Sequence, residues 1–123
     1  MKYKNINIIV LYAFLALVLT AYVLGINNLS FVNTNWLAAR DVTTDLISWK
    51  FFKNDIWRFP LGSNPNYGMG ISSSIVIADA VPIMALFFKS LKSFISGNFQ
   101  YFSFWFFIFF YFQLFFSFKI LNK

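Results

Sequence analysis

Asp41 and Asp45 stand four residues apart, and Arg58 and Asp79 follow them. A carboxylate at a membrane surface can serve as general base toward an acceptor hydroxyl. A pair of carboxylates can hold a hard divalent cation, Mg or Mn, together with substrate phosphates. An arginine can clamp a phosphate through two N–H groups at once. Together these are the parts needed to move a sugar off a lipid-linked phosphate donor. Each residue also has a plainer reading. Asp41 at a helix N-cap contributes about 1 kcal/mol and no chemistry. Asp45, on the same side of that helix, is then a solvated carboxylate, and Asp79 pairs with Arg58 or a lysine.

Composition sets the solvent in which such chemistry would run. The chain has 123 residues, 59% of them hydrophobic and 11% charged. A soluble domain carries about a quarter charged residues, and a small interior cannot hide 19 Phe. The class is therefore integral membrane. The chain's 4 acidic residues, Asp41, Asp45, Asp55 and Asp79, all lie between two apolar stretches. Cysteine and histidine are both absent. That excludes a disulfide scaffold, a cysteine zinc site, a thiol nucleophile and a histidine base. The net charge of +6 comes from basic residues scattered beside hydrophobic segments. Such a pattern sets topology and meets lipid headgroups, and it does not indicate nucleic acid.

The positioning elements follow from hydrophobic pattern. Residues 6–25 form an apolar run of about 20 residues, enough to cross a ~30 Å hydrocarbon core, and Lys2 and Lys4 hold the N-terminus in the cytoplasm. Trp36 suits the membrane interface. Val42, Leu46, Trp49 and Lys53, with Ile47 and Phe52 nearby, mark one face of an amphipathic surface helix over 42–53. Residues 54–70 mix Pro, Gly and Asn with Trp57, Phe59 and Tyr67, which predicts an ordered aromatic loop. Residues 73–92 read as a half-buried helix, because Asp79 and Pro82 make a poor span, with a full span as the alternative. Residues 99–119 are uncharged from Phe99 to Phe118 and can cross the bilayer, with Gln113 able to hydrogen-bond to other helices. The expected fold is an all-α membrane protein, one incomplete domain over 1–123. Two transmembrane helices flank an outside loop over about 26–98.

One stretch carries a resemblance. Its residues are Asp41, Asp45 and the string WKFFKNDIWRFPLGSNPNYG from Trp49 to Gly68. They continue with Ser73-Ser74-Ile75-Val76, Asp79, Pro82, Phe88-Lys89, Phe99-Gln100-Tyr101-Phe102 and Trp105. This run resembles the first outside loop and second helix of GT-C-type membrane glycosyltransferases. It resembles more closely a bacterial multi-pass family of unassigned function with that architecture. The resemblance implies a protein of the bacterial cytoplasmic membrane that takes sugar from a polyprenyl-phosphate donor. It implies Asp41 as the catalytic carboxylate, since an acidic residue soon after the first helix holds that role in GT-C enzymes. Asp45 becomes an assistant, although the close family is expected to carry His there. Arg58 becomes a phosphate contact, and Trp57 and Tyr67 line the substrate. The partners implied are the bilayer, the lipid-linked donor and the remaining helices of a longer protein, of which this chain is the N-terminal part and inactive alone. A different class stands beside this one: a small non-enzymatic membrane protein that assembles with a partner through its Phe-rich helix.

Overall fold

The computed structural model describes residues 2–38, 42–68, 73–78 and 80–121, with α1 side chains from Ile8 onward. The elements are α1 Lys2–Leu24, a 3-10 turn Ile26–Leu29, α2 Asn35–Ala38, α3 Thr43–Asn54, β1 Ser63–Asn64, β2 Ser73–Ser74, α4 Pro82–Ser90, a second 3-10 turn Lys92–Phe94 and α5 Phe102–Leu121. The fold is mostly helical. It divides into two compact units, Met1–Asn33 with Tyr101–Lys123, and Thr34–Gln100. One domain was expected, with residues 26–98 as a loop between the long helices; most of that segment falls in the compact unit Thr34–Gln100.

The first unit is a helical pair. α1 stops at Gly25, whose φ of 86° needs a residue without Cβ. Its N–H reaches Ala21 O at 2.9 Å, and the Asn28 side chain donates to Leu24 O at 2.7 Å. Those two bonds satisfy main-chain groups the helix end leaves open. α1 runs antiparallel to α5. Early in α1 the Tyr12 ring meets late-α5 Phe118 at 5.6 Å. Past the end of α1, Phe31 meets Phe104, and Ser103 Oγ donates to Asn28 O at 2.6 Å. Tyr12, Ala16 and Thr20 are buried at i, i+4 and i+8. Small residues on such a stripe let helix backbones approach closely. The Thr20 hydroxyl is satisfied within its own helix by Ala16 O at 2.7 Å. Along α5, Phe104, Phe107, Tyr111 and Phe115 stack in succession. Among the described residues, α5 is the helix long and apolar enough to cross a membrane; the described apolar part of α1 is Ile8–Leu24.

The second unit is built on α3. Leu46, Trp49 and Phe52 are buried on the face predicted for it. Ile47, assigned near that face, is exposed, while Ser48 is buried in its place. The Trp49 indole N–H donates to Phe99 O at 3.0 Å. β1 and β2 pair antiparallel, Ser63 with Ser74 and Asn64 with Ser73. Gly62 enters this ladder at φ 94°, and a Cβ there would stand 3.3 Å from Ile75 Cγ2. Ile75 N–H in turn donates to Gly62 O at 2.8 Å.

The half-buried helix expected over 73–92 is shorter. Ser73 and Ser74 are a strand, residues 75–78 turn, and the helix is Pro82–Ser90. Pro82 starts it, where a missing N–H costs nothing, instead of kinking its middle. The residue before it, Val81, holds a left-handed φ of 47° that no helix interior accepts. The second apolar helix likewise begins at Phe102 and not at 99.

Candidate functional site

The polar cleft of the second unit has a volume of about 290 Å³ and is lined by Thr44, Asp45, Tyr67, Ser73, Ile77 and Ala78. The first turn of α3 supplies Thr44 and Asp45, and a carboxylate there is favoured by the partial positive charge of the helix N-terminus. Thr44 Oγ1 donates to Asp45 Oδ1 at 3.3 Å. Tyr67 arrives from the turn after β1. Its hydroxyl reaches Thr44 O at 3.4 Å, and its ring lies 6.1 Å from that of Phe51. The turn is fastened to α3 by Asn64, whose Nδ2 donates to Ser48 O at 3.0 Å and Ser48 Oγ at 3.2 Å. Ser73 closes the cleft through its pairing with Asn64. The lining therefore gathers a carboxylate, three hydroxyls and a half-buried aromatic ring.

The sequence-predicted site residues divide into two groups. Asp45 and Tyr67 meet in this cleft. Trp57 and Arg58 do not line it. Asp41, the leading candidate base, and Asp79 lie outside the described residues, and so does any capping by Asp41. Arg58 was expected to contact phosphate or pair with Asp79. It binds Asp55, with Nε at 3.0 Å from Oδ2 and an Nη at 3.2 Å from Oδ1. This bond to Arg58 holds the Asp55 carboxyl below its ordinary range. Among the described residues, no group of three His, Cys, Asp or Glu side chains is placed to share a metal ion. Among the described residues, the carboxylate that lines the cleft is that of Asp45.

A second cluster has no counterpart in the sequence reading. Lys89 is 2% exposed and Lys53 3% exposed. The Lys89 ammonium lies 3.9 Å from the Phe52 ring centre and 4.9 Å from that of Trp57, and donates to Ile56 O at 3.1 Å. Lys53 donates to Ser96 O at 3.0 Å and to Gly97 O. Lys92 donates to Asn54 O at 3.2 Å. Three lysines thus join the end of α3 to residues 89–97. Burial pushes both Lys53 and Lys89 below the ordinary lysine value, because removing water penalises the charged form. The spacing of Lys53 within α3 was legible; its carbonyl acceptors, which are main chain and distant in sequence, were not.

The first unit holds a larger groove of about 470 Å³ lined by residues such as Phe14, Leu17, Phe31 and Phe107. Its lining is apolar and brings no acid–base group, so the polar cleft is the better candidate for chemistry.

No curated protein and no solved structure matches the chain. A family profile, described as a domain of unknown function (DUF6311), matches residues 13–123. The chain belongs to the DUF6311 family.

Proposed function

We propose that this chain is the N-terminal part of a GT-C-like glycosyltransferase of the bacterial cytoplasmic membrane, one that transfers sugar from a polyprenyl-phosphate donor. The supporting observation is the cleft in which Asp45 and Tyr67 meet among hydroxyl groups. It is formed by the segment that follows α1 in sequence. In this reading α1 and α5 both cross the membrane as part of a multi-pass protein. Asp41 is the base or metal-positioning group, Asp45 assists it, and a divalent cation holds the donor phosphate. Arg58 would have to share its guanidinium between Asp55 and a phosphate, and it has N–H groups left to do so. The test is sugar transfer from a polyprenyl-phosphate donor by the complete protein. Asp41→Asn and Asp45→Asn should each lower the rate by about 10²–10⁴-fold. Full transfer by Asp41→Asn sinks the assignment.

A second reading is a non-enzymatic membrane protein that assembles through its Phe-rich helix. It is favoured by a groove of about 480 Å³ on α5 lined by Trp105, Phe109, Phe112, Gln113 and Phe116. A carboxamide in an apolar span gains from a hydrogen-bonding partner helix. Partner association that survives Asp41→Asn and Asp45→Asn, in a complete protein without transfer activity, selects this reading.

A further inference from the structure

The segment Ile56–Leu61 is fastened at its base and apolar at its tip. Its stem is held by Lys89 on Ile56 O at 3.1 Å, by Arg58 on Asp55 at 3.0 Å and by Ser63 N on Pro60 O at 3.1 Å. Yet Ile56, Trp57, Phe59 and Leu61 are all exposed, Phe59 to 92%. α4 adds exposed Ile83 and Phe87, one helical turn apart. Large apolar side chains held outward on a fixed backbone mark an interaction surface.

The charges beside them indicate what covers it. Arg58 sits between Trp57 and Phe59, is 40% exposed, and spends two N–H groups on Asp55. A guanidinium has five. Lys92 is exposed and donates to Asn54 O beside the stem. A covering partner must therefore offer an apolar medium and anionic oxygens within one side-chain length of each other. The interface of an anionic bilayer offers both, and Trp and basic residues concentrate there.

We propose that Ile56–Leu61 is a lipid-interface anchor. Phe59 and Leu61 enter the acyl boundary, while Arg58 and Lys92 meet phospholipid phosphates. This rests on α5 lying in a membrane and is independent of any enzymatic role. The chain has no cysteine, so a single nitroxide can be attached at Phe59→Cys, and separately at Leu61→Cys, Asn66→Cys and Phe112→Cys. The full chain is placed in bilayers containing phosphatidylglycerol, and label collisions with oxygen and with a water-soluble nickel chelate are measured. At positions 59 and 61 oxygen collisions should rise and nickel collisions fall relative to the exposed turn at 66. Nickel access at 59 and 61 equal to that at 66 overturns the anchor, because the loop is then in water. Loss of both collision types also overturns it, because protein then covers the loop. The label at 112 separates these failures from failure of the membrane reading: nickel access there shows α5 outside the bilayer. In pure phosphatidylcholine the label at 59 should move toward water, and an unchanged depth overturns the role of the phosphates.

Discussion

The Lys89 ammonium rests 3.9 Å from the centre of the Phe52 ring, inside the second unit. The ring's negative face and the Ile56 carbonyl together replace part of the water that burial removed. Lys89→Ala should cost about 2–3 kcal/mol, because it removes a desolvated cation–π contact and leaves a carbonyl unpaired. Lys89→Met keeps the aliphatic stem and should recover part of that loss. Urea unfolding of the full chain in detergent, followed by tryptophan fluorescence, reads both.

Trp49 joins α3 to Phe99 through its indole N–H. Trp49→Phe removes that donor from a fully buried position. A loss of about 1–3 kcal/mol is expected from the orphaned carbonyl and the missing ring volume. The same unfolding experiment, followed by circular dichroism because a tryptophan is gone, provides the measure.

Asp55 and the buried lysines give the second unit opposed responses to pH. The Asp55 carboxyl is held below its ordinary value of 3.8, chiefly by the Arg58 hydrogen bond. Its stabilising contribution is present in full above that value and is lost as pH falls through the depressed one. Lys53 and Lys89 are depressed from 10.5 by burial. Between the depressed values and 10.5 the unfolded chain binds more protons, so stability rises with pH across that window. Melting midpoints against pH should show an acid loss that Asp55→Asn removes and an alkaline gain that it leaves.

Ala16 is fully buried on the face that α1 turns to α5. Ala16→Leu forces extra volume into that contact and should cost about 1–3 kcal/mol. Spin labels on exposed Leu11 and Phe116, measured by double electron–electron resonance in bilayers, should show a longer or broader distance distribution.

The Tyr67 hydroxyl makes a long, exposed hydrogen bond to Thr44 O at 3.4 Å. Tyr67→Phe should change stability by no more than about 0.5 kcal/mol, since the ring contact with Phe51 survives. If the proposed transfer activity is present, a fall in transfer with unchanged stability assigns the hydroxyl to substrate. Unfolding and transfer assays on the same preparation decide this.

The parts legible in the sequence are those set by local periodicity. α3 could be read from Leu46, Trp49 and Phe52, and the long helices from apolar runs of about 20 residues that carry no charge. What pattern could not reach depends on partners far along the chain. Ser73 and Ser74 looked like a helix start, yet they pair with Ser63 and Asn64 in two-residue strands too short to show alternation. Pro82 looked like a kink because the helix was taken to begin before it. Asp79 was matched to Arg58 or a lysine, while Asp55, an i, i+3 step from Arg58 and its partner in the structure, was passed over. Of the cleft, Asp45 and Tyr67 were named as site residues; Ser73 stood within the string that carries the resemblance, and Thr44 carried no signal because isolated hydroxyl residues are common everywhere.

The lysine staples have one more consequence. Around the end of α3 the ammonium groups of Lys53 and Lys89 point inward to carbonyls and rings, while Phe59 and Phe94 stand almost fully outside. At this end of the unit two ammonium groups are shielded by carbonyls and rings while large apolar side chains face outward, so a surrounding medium of low polarity should cost it little.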